Sequence, residues 1–253
     1  MTTRTFPGAL RGRDTGGKPE IACWNCSLFR HCHLAHDGGT TGDLLAEVGK
    51  HRRLVRRGEL LFQPGDAFRF VYVVTSGSLK SYLPVHGGAD RIGSFHLAGD
   101  VVGLEALHAG THSCGARALE TSSVCEVPFE RIEHLGDVTR QVQRQMLHIM
   151  SRRIRNGLLL QAVLCRKSAH ERLAAFLMGL SAHFRSHGFS ATEFRLTMTR
   201  GDIANYLGLA EETVSRLFTR MDEQGMITIN RRSVVLNKLP ELSRMAGLPV
   251  NLP

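Results

Sequence analysis

At 253 residues and 28.0 kDa, the chain has room for two domains and a real core. A formal charge of +9 and a pI near 9.7 suit a polyanionic partner, nucleic acid or a membrane surface. No apolar run approaches the ~20 residues of a membrane span, which favours nucleic acid and no membrane.

Residues 1–20 (MTTRTFPGALRGRDTGGKPE) read as a flexible leader. They contain no apolar h-region, so they predict no secretory signal and a cytoplasmic protein. Disulfides are disfavoured in that compartment, and the six cysteines call for another explanation. Cys23, Cys26 and Cys32 form C-x2-C-x5-C within a polar, cysteine-rich segment, 21–36. Three thiols this close can converge on one metal centre if the backbone curls into a loop, with a fourth ligand from elsewhere. Thiolates favour zinc or an iron–sulfur cluster, and the spacing alone weighs the two about equally. Inert reduced thiols rank third. His31, His33 and His36 beside the cluster read as surface histidines, and Trp24 as an anchor for the loop. Cys114, Cys125 and Cys165 are scattered further along.

Residues 37–128 form the first domain. Leu44–Leu54 reads as a short helix leading into it. Short β-rich runs follow at Phe70–Val74, Leu79–Leu83, Ile92–Phe95, Val101–Val102 and Val124–Val127. Glycine turns separate them, at Pro64-Gly65-Asp66, Ser76-Gly77-Ser78, His86-Gly87-Gly88 and Ala98-Gly99-Asp100. Many short strands at regular spacing predict an antiparallel barrel or roll, either enclosing a small ligand or simply packed.

Residues 129–168 are expected to be a long helix and hinge. The helix spans Phe129–Lys167 and breaks near Asn156-Gly157. Leu135, Val138, Val142, Met146, Ile149, Ile154 and Leu158 form an apolar stripe at steps of three to five. Such a stripe suits a two-helix homodimer seam, the alternative being packing against the roll. The opposite face carries Arg140, Gln141, Arg144, Arg152 and Arg155, and reads as solvated.

The second domain, 169–253, starts with an amphipathic helix, Glu171–Phe184, and a short strand, Phe194–Met198. Thr199–Gly225 then reads as helix, tight turn, helix. Thr199 is an N-cap with Asp202 three residues on, Gly208 makes the turn, and Gly225 stops the second helix. Val214, Leu217, Phe218 and Met221 keep helical spacing, which leaves Glu212, Thr213, Ser215, Arg216 and Arg220 facing out. Arginine reads guanine N7 and O6, glutamate reads cytosine N4, and hydroxyls reach base or phosphate, so this set fits a major groove. The plainer alternative is a helical hairpin with a solvated face. Met226–Ile229 and Ser233–Leu236, around Asn230-Arg231-Arg232, predict a wing with a basic tip beside the phosphates. The tail LPELSRMAGL reads as one more helical turn.

Together these features resemble the CRP/FNR family of bacterial regulators, most closely its FNR branch, the anaerobic regulators of fumarate and nitrate respiration. The likeness runs from Ile21 to Leu248. FHLAGD (Phe95–Asp100), ALETSSVCEVPFE (Ala118–Glu130), ERLAAF (Glu171–Phe176), FRLTMTRGDIANYLGL (Phe194–Leu209) and ETVSR (Glu212–Arg216) carry it. It implies an α+β architecture: an antiparallel β-roll of the cyclic-nucleotide-binding jelly-roll type, a long dimerisation helix and a C-terminal winged helix–turn–helix. It assigns the fourth ligand to Cys125, giving one 4Fe–4S cluster per chain on Cys23, Cys26, Cys32 and Cys125, with Cys114 and Cys165 as structural thiols. It implies an oxygen switch in which the cluster supports dimerisation and binding to a TTGAT-N4-ATCAA-like palindrome. Glu212 and Arg216 then read the G·C pair and Ser215 a neighbouring thymine, mainly activating anaerobic respiration genes. RNA polymerase is the expected partner, at exposed loops such as Pro84–Asp90.

The chain departs from the wider family at His112-Ser113, where cyclic-nucleotide binders carry an Arg-Ser pair that grips the phosphate. The run Arg152-Arg153-Ile154-Arg155-Asn156-Gly157 lacks the acidic residues that the branch often has there. No catalytic arrangement stands out, and an enzyme is not expected. Two other readings rank lower: a small-molecule sensor with a zinc or redox thiol site, and an iron–sulfur electron carrier.

Overall fold

The computed structural model describes residues 52–85, 87–130, 138–166 and 168–247. The leader, Cys23, Cys26, Cys32, Trp24, Leu135 and most of the Leu44–Leu54 helix lie outside the described residues. The end of that helix is corrected: Arg52–Val55 is a strand, β1, paired antiparallel with the strand that carries Cys125.

The roll consists of β1, β2 (Leu60–Phe62), β3 (Phe70–Ser76), β4 (Ser78–Leu83), β5 (Arg91–Leu97), β6 (Val101–Val102), β7 (Gly115–Ala118) and β8 (Ser122–Pro128). These form two four-stranded antiparallel sheets, ordered β1-β8-β3-β6 and β2-β7-β4-β5. A 3-10 turn, Leu104–Leu107, follows β6. β3 is apolar on both faces because both are covered. Tyr72 and Val74 point into the roll with Leu79 and Val124, while Val71 and Val73 point to the other side, with Val101, Leu104 and Val127.

The long helix α1, Val138–Arg166, lies against that second cluster. The expected break at Asn156-Gly157 is absent, and the helix runs through it for 29 residues. One glycine costs a helix only about 1 kcal/mol, which a long helix absorbs. The predicted apolar stripe divides in two. Met146 and Ile149 are buried against the roll, 7 % and 4 % exposed, whereas Ile154 and Leu158 stand open at 66 % and 62 %. Leu147, one heptad before Ile154, is equally open at 62 %. Val138 and Val142 lie in the first turns of α1, with side chains outside the description. Arg153 fastens the helix to the roll. Its guanidinium donates to the Val101 carbonyl and, at 3.2 Å, to His96 Nδ1. His96 is fully buried, and burial together with Arg153 lowers its pKa to about 3. It is therefore a neutral imidazole that accepts at Nδ1 and donates from Nε2 to Ser81 Oγ at 3.0 Å.

Helix α2, Ala169–Ser186, starts at a capping box between Ser168 and Glu171. Strand β9 (Glu193–Arg195), helices α3 (Arg200–Leu207) and α4 (Glu211–Glu223), strands β10 (Ile227–Asn230) and β11 (Ser233–Leu236) and helix α5 (Leu239–Ala246) complete the chain. The wing is three-stranded, ordered β10-β11-β9. The tail forms a two-turn helix, longer than the single turn expected, with Leu242 and Ala246 fully buried.

The two domains share one core. Leu97 and Leu119 of the roll belong to the cluster formed by Leu173, Leu177, Ile203, Leu207, Val214, Phe218 and Leu242. Phe95 of β5 packs against Phe176 and Tyr206, with ring centroids at 6.0 and 5.1 Å. Polar ties surround this contact. Lys80 Nζ meets Asp202 Oδ1 at 2.6 Å, Ser78 Oγ donates to Thr197 Oγ1 at 2.7 Å, and Asn205 bonds the backbone of β5.

Candidate nucleic-acid interface

The helix–turn–helix is built as its local sequence requires. Thr199 Oγ1 accepts from the Asp202 N–H at 3.0 Å, and Asp202 Oδ2 accepts from the Thr199 N–H at 3.0 Å, closing the capping box of α3. Gly208 ends α3 at φ +64°, a left-handed conformation that glycine adopts without strain. Ile203, Ala204 and Leu207 of α3 pack in one core with Val214, Leu217, Phe218 and Met221 of α4. The Arg200 guanidinium lies 3.4 Å over the Phe218 ring and braces the first turn of α3 on α4.

That packing decides what α4 presents. Glu212, Arg216 and Arg220 recur every fourth residue on one exposed ridge, and Thr213 and Ser215 flank it half-buried. The side chains predicted to read bases therefore share one side of α4. Thr219 is exposed too, but its hydroxyl donates back to the Ser215 carbonyl at 3.2 Å. Asp222, not singled out in the sequence, ties α4 to the wing by accepting the Ile229 N–H at 3.1 Å. The wing tip is basic and exposed at Arg231 and Arg232, with Arg231 at φ +55°. A side-chain bond from helix to wing, such as Asp222 to Ile229, leaves no trace in periodicity.

Cys125 lies half-buried on β8, opposite Arg52 of β1 and Val73 of β3. It packs on the cluster that includes Met146 and Ile149, so it stands where α1 meets the roll. Cys114 differs. Its thiol is buried beside Glu105, and burial with that carboxylate pushes it up to about 12. Cys165 is exposed on α1. Among the described residues no three His, Cys, Asp or Glu side chains gather as metal ligands.

Where nucleotide binders carry an arginine, His112 folds inward. It stacks on Phe62 at 3.7 Å and bonds Glu105 Oε1 through Nδ1 at 2.9 Å. This packing occupies the space between β2 and the 3-10 turn with the protein's own side chains.

Two family models match in the same order as the two domains: a Cyclic nucleotide-binding domain over residues 52–137 and a Crp-like helix-turn-helix domain over residues 171–245. The chain is 43 % identical over 229 residues to the Transcriptional activator protein anr of Pseudomonas aeruginosa, covering 90 % of this chain and 94 % of that protein. The chain belongs to the CRP/FNR family. The Fumarate and nitrate reduction regulatory protein of Escherichia coli K12 is 40 % identical over 235 residues, covering 93 % of this chain and 94 % of the other. Among solved CRP/FNR structures, FixK2 from Bradyrhizobium japonicum superposes with a TM-score of 0.69 at 31 % identity, covering 80 % of this chain and 98 % of that one. The CRP family regulator TTHB099 from Thermus thermophilus, at 21 % identity and a TM-score of 0.63, shares the fold, covering 79 % and 98 %. This CRP/FNR chain is a DNA-binding transcription activator of the FNR and Anr type. Among its described residues no helix is long and apolar enough to cross a membrane.

Proposed function

We propose that this activator is a cytoplasmic, oxygen-responsive homodimer that reads a TTGAT-N4-ATCAA-like palindrome and turns on anaerobic respiration genes. The observation that carries the reading is the position of Cys125, half-buried in the apolar cluster that joins β8 to Met146 and Ile149 of α1. Cys23, Cys26 and Cys32 would supply the other three thiolates. An iron–sulfur cluster bound there would provide an oxygen-labile link between the N-terminal segment and the roll. The donor chemistry supports Cys125 over Cys114, because a ligand thiol must lose its proton and the buried Cys114 holds its own to about pH 12.

The open face of α1 supports the dimer. Leu147, Ile154 and Leu158 recur at steps of seven and four, a coiled-coil repeat, and have no cover within the described protomer. Met146 and Ile149 hold α1 on the roll, so a change at Cys125 reaches the seam through one helix. Arg152 and Arg155 flank the seam, and α1 contains no acidic residue, so dimerisation strengthens with salt as their repulsion is screened. On DNA, Arg216 donates to guanine N7 and O6, Glu212 accepts from cytosine N4, Ser215 touches a neighbouring thymine, and Thr213, Arg220 and the wing arginines take phosphates. The β4–β5 tip exposes Leu83 and Val85, an apolar contact suited to RNA polymerase.

The test is to purify the protein anaerobically and record its visible spectrum with iron, sulfide and zinc content, before and after air. About four iron and four sulfide per chain, bleaching in air together with DNA binding, is the expected result. Colourless, zinc-loaded or metal-free protein from fresh anaerobic preparations overturns the oxygen reading and leaves DNA binding intact.

A further inference from the structure

We propose that Asn205 and Lys80 are positioning residues for DNA recognition: by clamping α3 to the edge of the roll, they set the half-site spacing that the dimer accepts. The inference rests on the palindrome reading above. β5 is an edge strand, and a strand edge leaves backbone groups without a sheet partner. Asn205 fills part of that edge as a neighbouring strand would. Its Oδ1 accepts the Ile92 N–H at 2.7 Å and its Nδ2 donates to the Asp90 carbonyl at 2.9 Å. Both ends of the amide are engaged, which fixes its rotamer. One turn earlier on the same face of α3, Asp202 receives Lys80 of β4 at 2.6 Å. Ser78 and Thr197 extend the line into the segment before α3.

The turn after α3 is held as well. The Arg91 guanidinium lies 3.2 Å from where a Cβ would sit on Gly208, and Arg172 Nη1 donates to the Leu207 carbonyl at 3.1 Å. The buried face of α3 meanwhile packs on α4. The direction of α4 is thus fixed to β5, and β5 is fixed to α1 through His96 and Arg153. The clamp leaves Glu212, Arg216 and Arg220 exposed, so it presents the reading ridge rather than covering it. In a two-fold dimer, one added base pair turns a half-site by about 34° around the DNA axis. A recognition helix rigidly attached to the roll cannot follow that rotation.

The experiment uses full-length, anaerobically prepared protein and fluorescence anisotropy on duplexes in which TTGAT and ATCAA are separated by three, four or five base pairs. Wild type is expected to prefer four by about tenfold or more. In Asn205→Ala and Lys80→Ala the preference should fall to within about threefold, the loss expected when a hydrogen bond that fixes orientation is removed. Lys80→Arg keeps the pair and the wild-type preference. Circular dichroism and thermal melting confirm folding. Asn205→Asp, which keeps the Ile92 bond and sets a carboxylate against the Asp90 carbonyl, is a milder variant with the same expected direction. Variants that retain the wild-type preference, or that bind every spacing more tightly, overturn the inference alone. Wild-type protein that binds without spacing preference removes the palindrome reading and the inference with it.

Discussion

Asp202 serves two partners at once, and replacing it separates their contributions. Asp202→Ala opens the capping box of α3, leaving the Thr199 N–H without its 3.0 Å acceptor, which costs about 1 kcal/mol. It also removes the acceptor of Lys80 at 2.6 Å. Exposed ion pairs contribute little, but here the side chains are only 23 % and 12 % exposed, which raises the pair to about 1–2 kcal/mol. Asp202→Ala should therefore cost about 2–3 kcal/mol, and Lys80→Ala about 1–2 kcal/mol. The double variant should cost no more than Asp202→Ala alone, because the Lys80 ammonium left behind can turn to water. Urea unfolding of the four proteins closes the cycle. The carboxylate also sets a pH dependence. Burial pushes Asp202 up, but the bonds from Lys80 and Thr199 outweigh that and hold it below its ordinary value of 3.8. Its stabilisation is thus complete well above pH 3.8 and disappears as pH falls through the lower folded value, so the coupling should vanish in acid. Additivity within about 0.3 kcal/mol at neutral pH would show that the pair contributes nothing and refute this reasoning.

Other expectations follow from the same geometry. Arg216→Ala should weaken the cognate site by about 1–3 kcal/mol and relax the preference for guanine at one position, read by competition among single-base variants; uniform weakening on all sequences would make Arg216 a phosphate contact. Ile154→Glu should give monomers in sedimentation without lowering protomer stability, whereas Met146→Ala should lower stability by about 2–4 kcal/mol because it opens the packing of α1 on the roll. If Ile154→Glu remains dimeric, the open face of α1 is not the seam. Cys125→Ser should abolish cluster assembly while Cys114→Ser retains it, measured as iron and sulfide per chain; the reverse pattern would transfer the fourth ligand to Cys114.

What could be read from residue order alone was local. Thr199, Asp202, Gly208 and Gly225 announce the helix–turn–helix because caps and left-handed turns are short-range chemistry. The apolar spacing of Val214, Leu217, Phe218 and Met221 fixes the outward face of α4 for the same reason. Arg52–Leu54 carries a helical pattern yet forms a strand, because its pairing with β8 is non-local and tertiary pairing overrides propensity. Gly115–Ala118 carries no strand signal of its own, because the small residues Gly115, Ala116 and Ala118 lack the β-branched pattern that marks a strand. On α1, a stripe with steps of three to five could not reveal which residues meet the roll and which stay open. That division depends on where β3 and β8 lie, just as the partners of Lys80 and Asn205 depend on where α3 meets β4 and β5.

The core that crosses from roll to DNA-binding domain limits how the protein can be rearranged. Phe95, Leu97 and Leu119 complete a cluster whose other members all lie beyond residue 168. A C-terminal fragment cut away from the roll would bare Phe176 and Tyr206 to water, together with the surfaces that Leu97 and Leu119 cover. The two halves are therefore not interchangeable parts. A chimaera that grafts this DNA-binding domain onto a relative's sensor should dissolve and respond only if the donor roll brings matching side chains at those three positions.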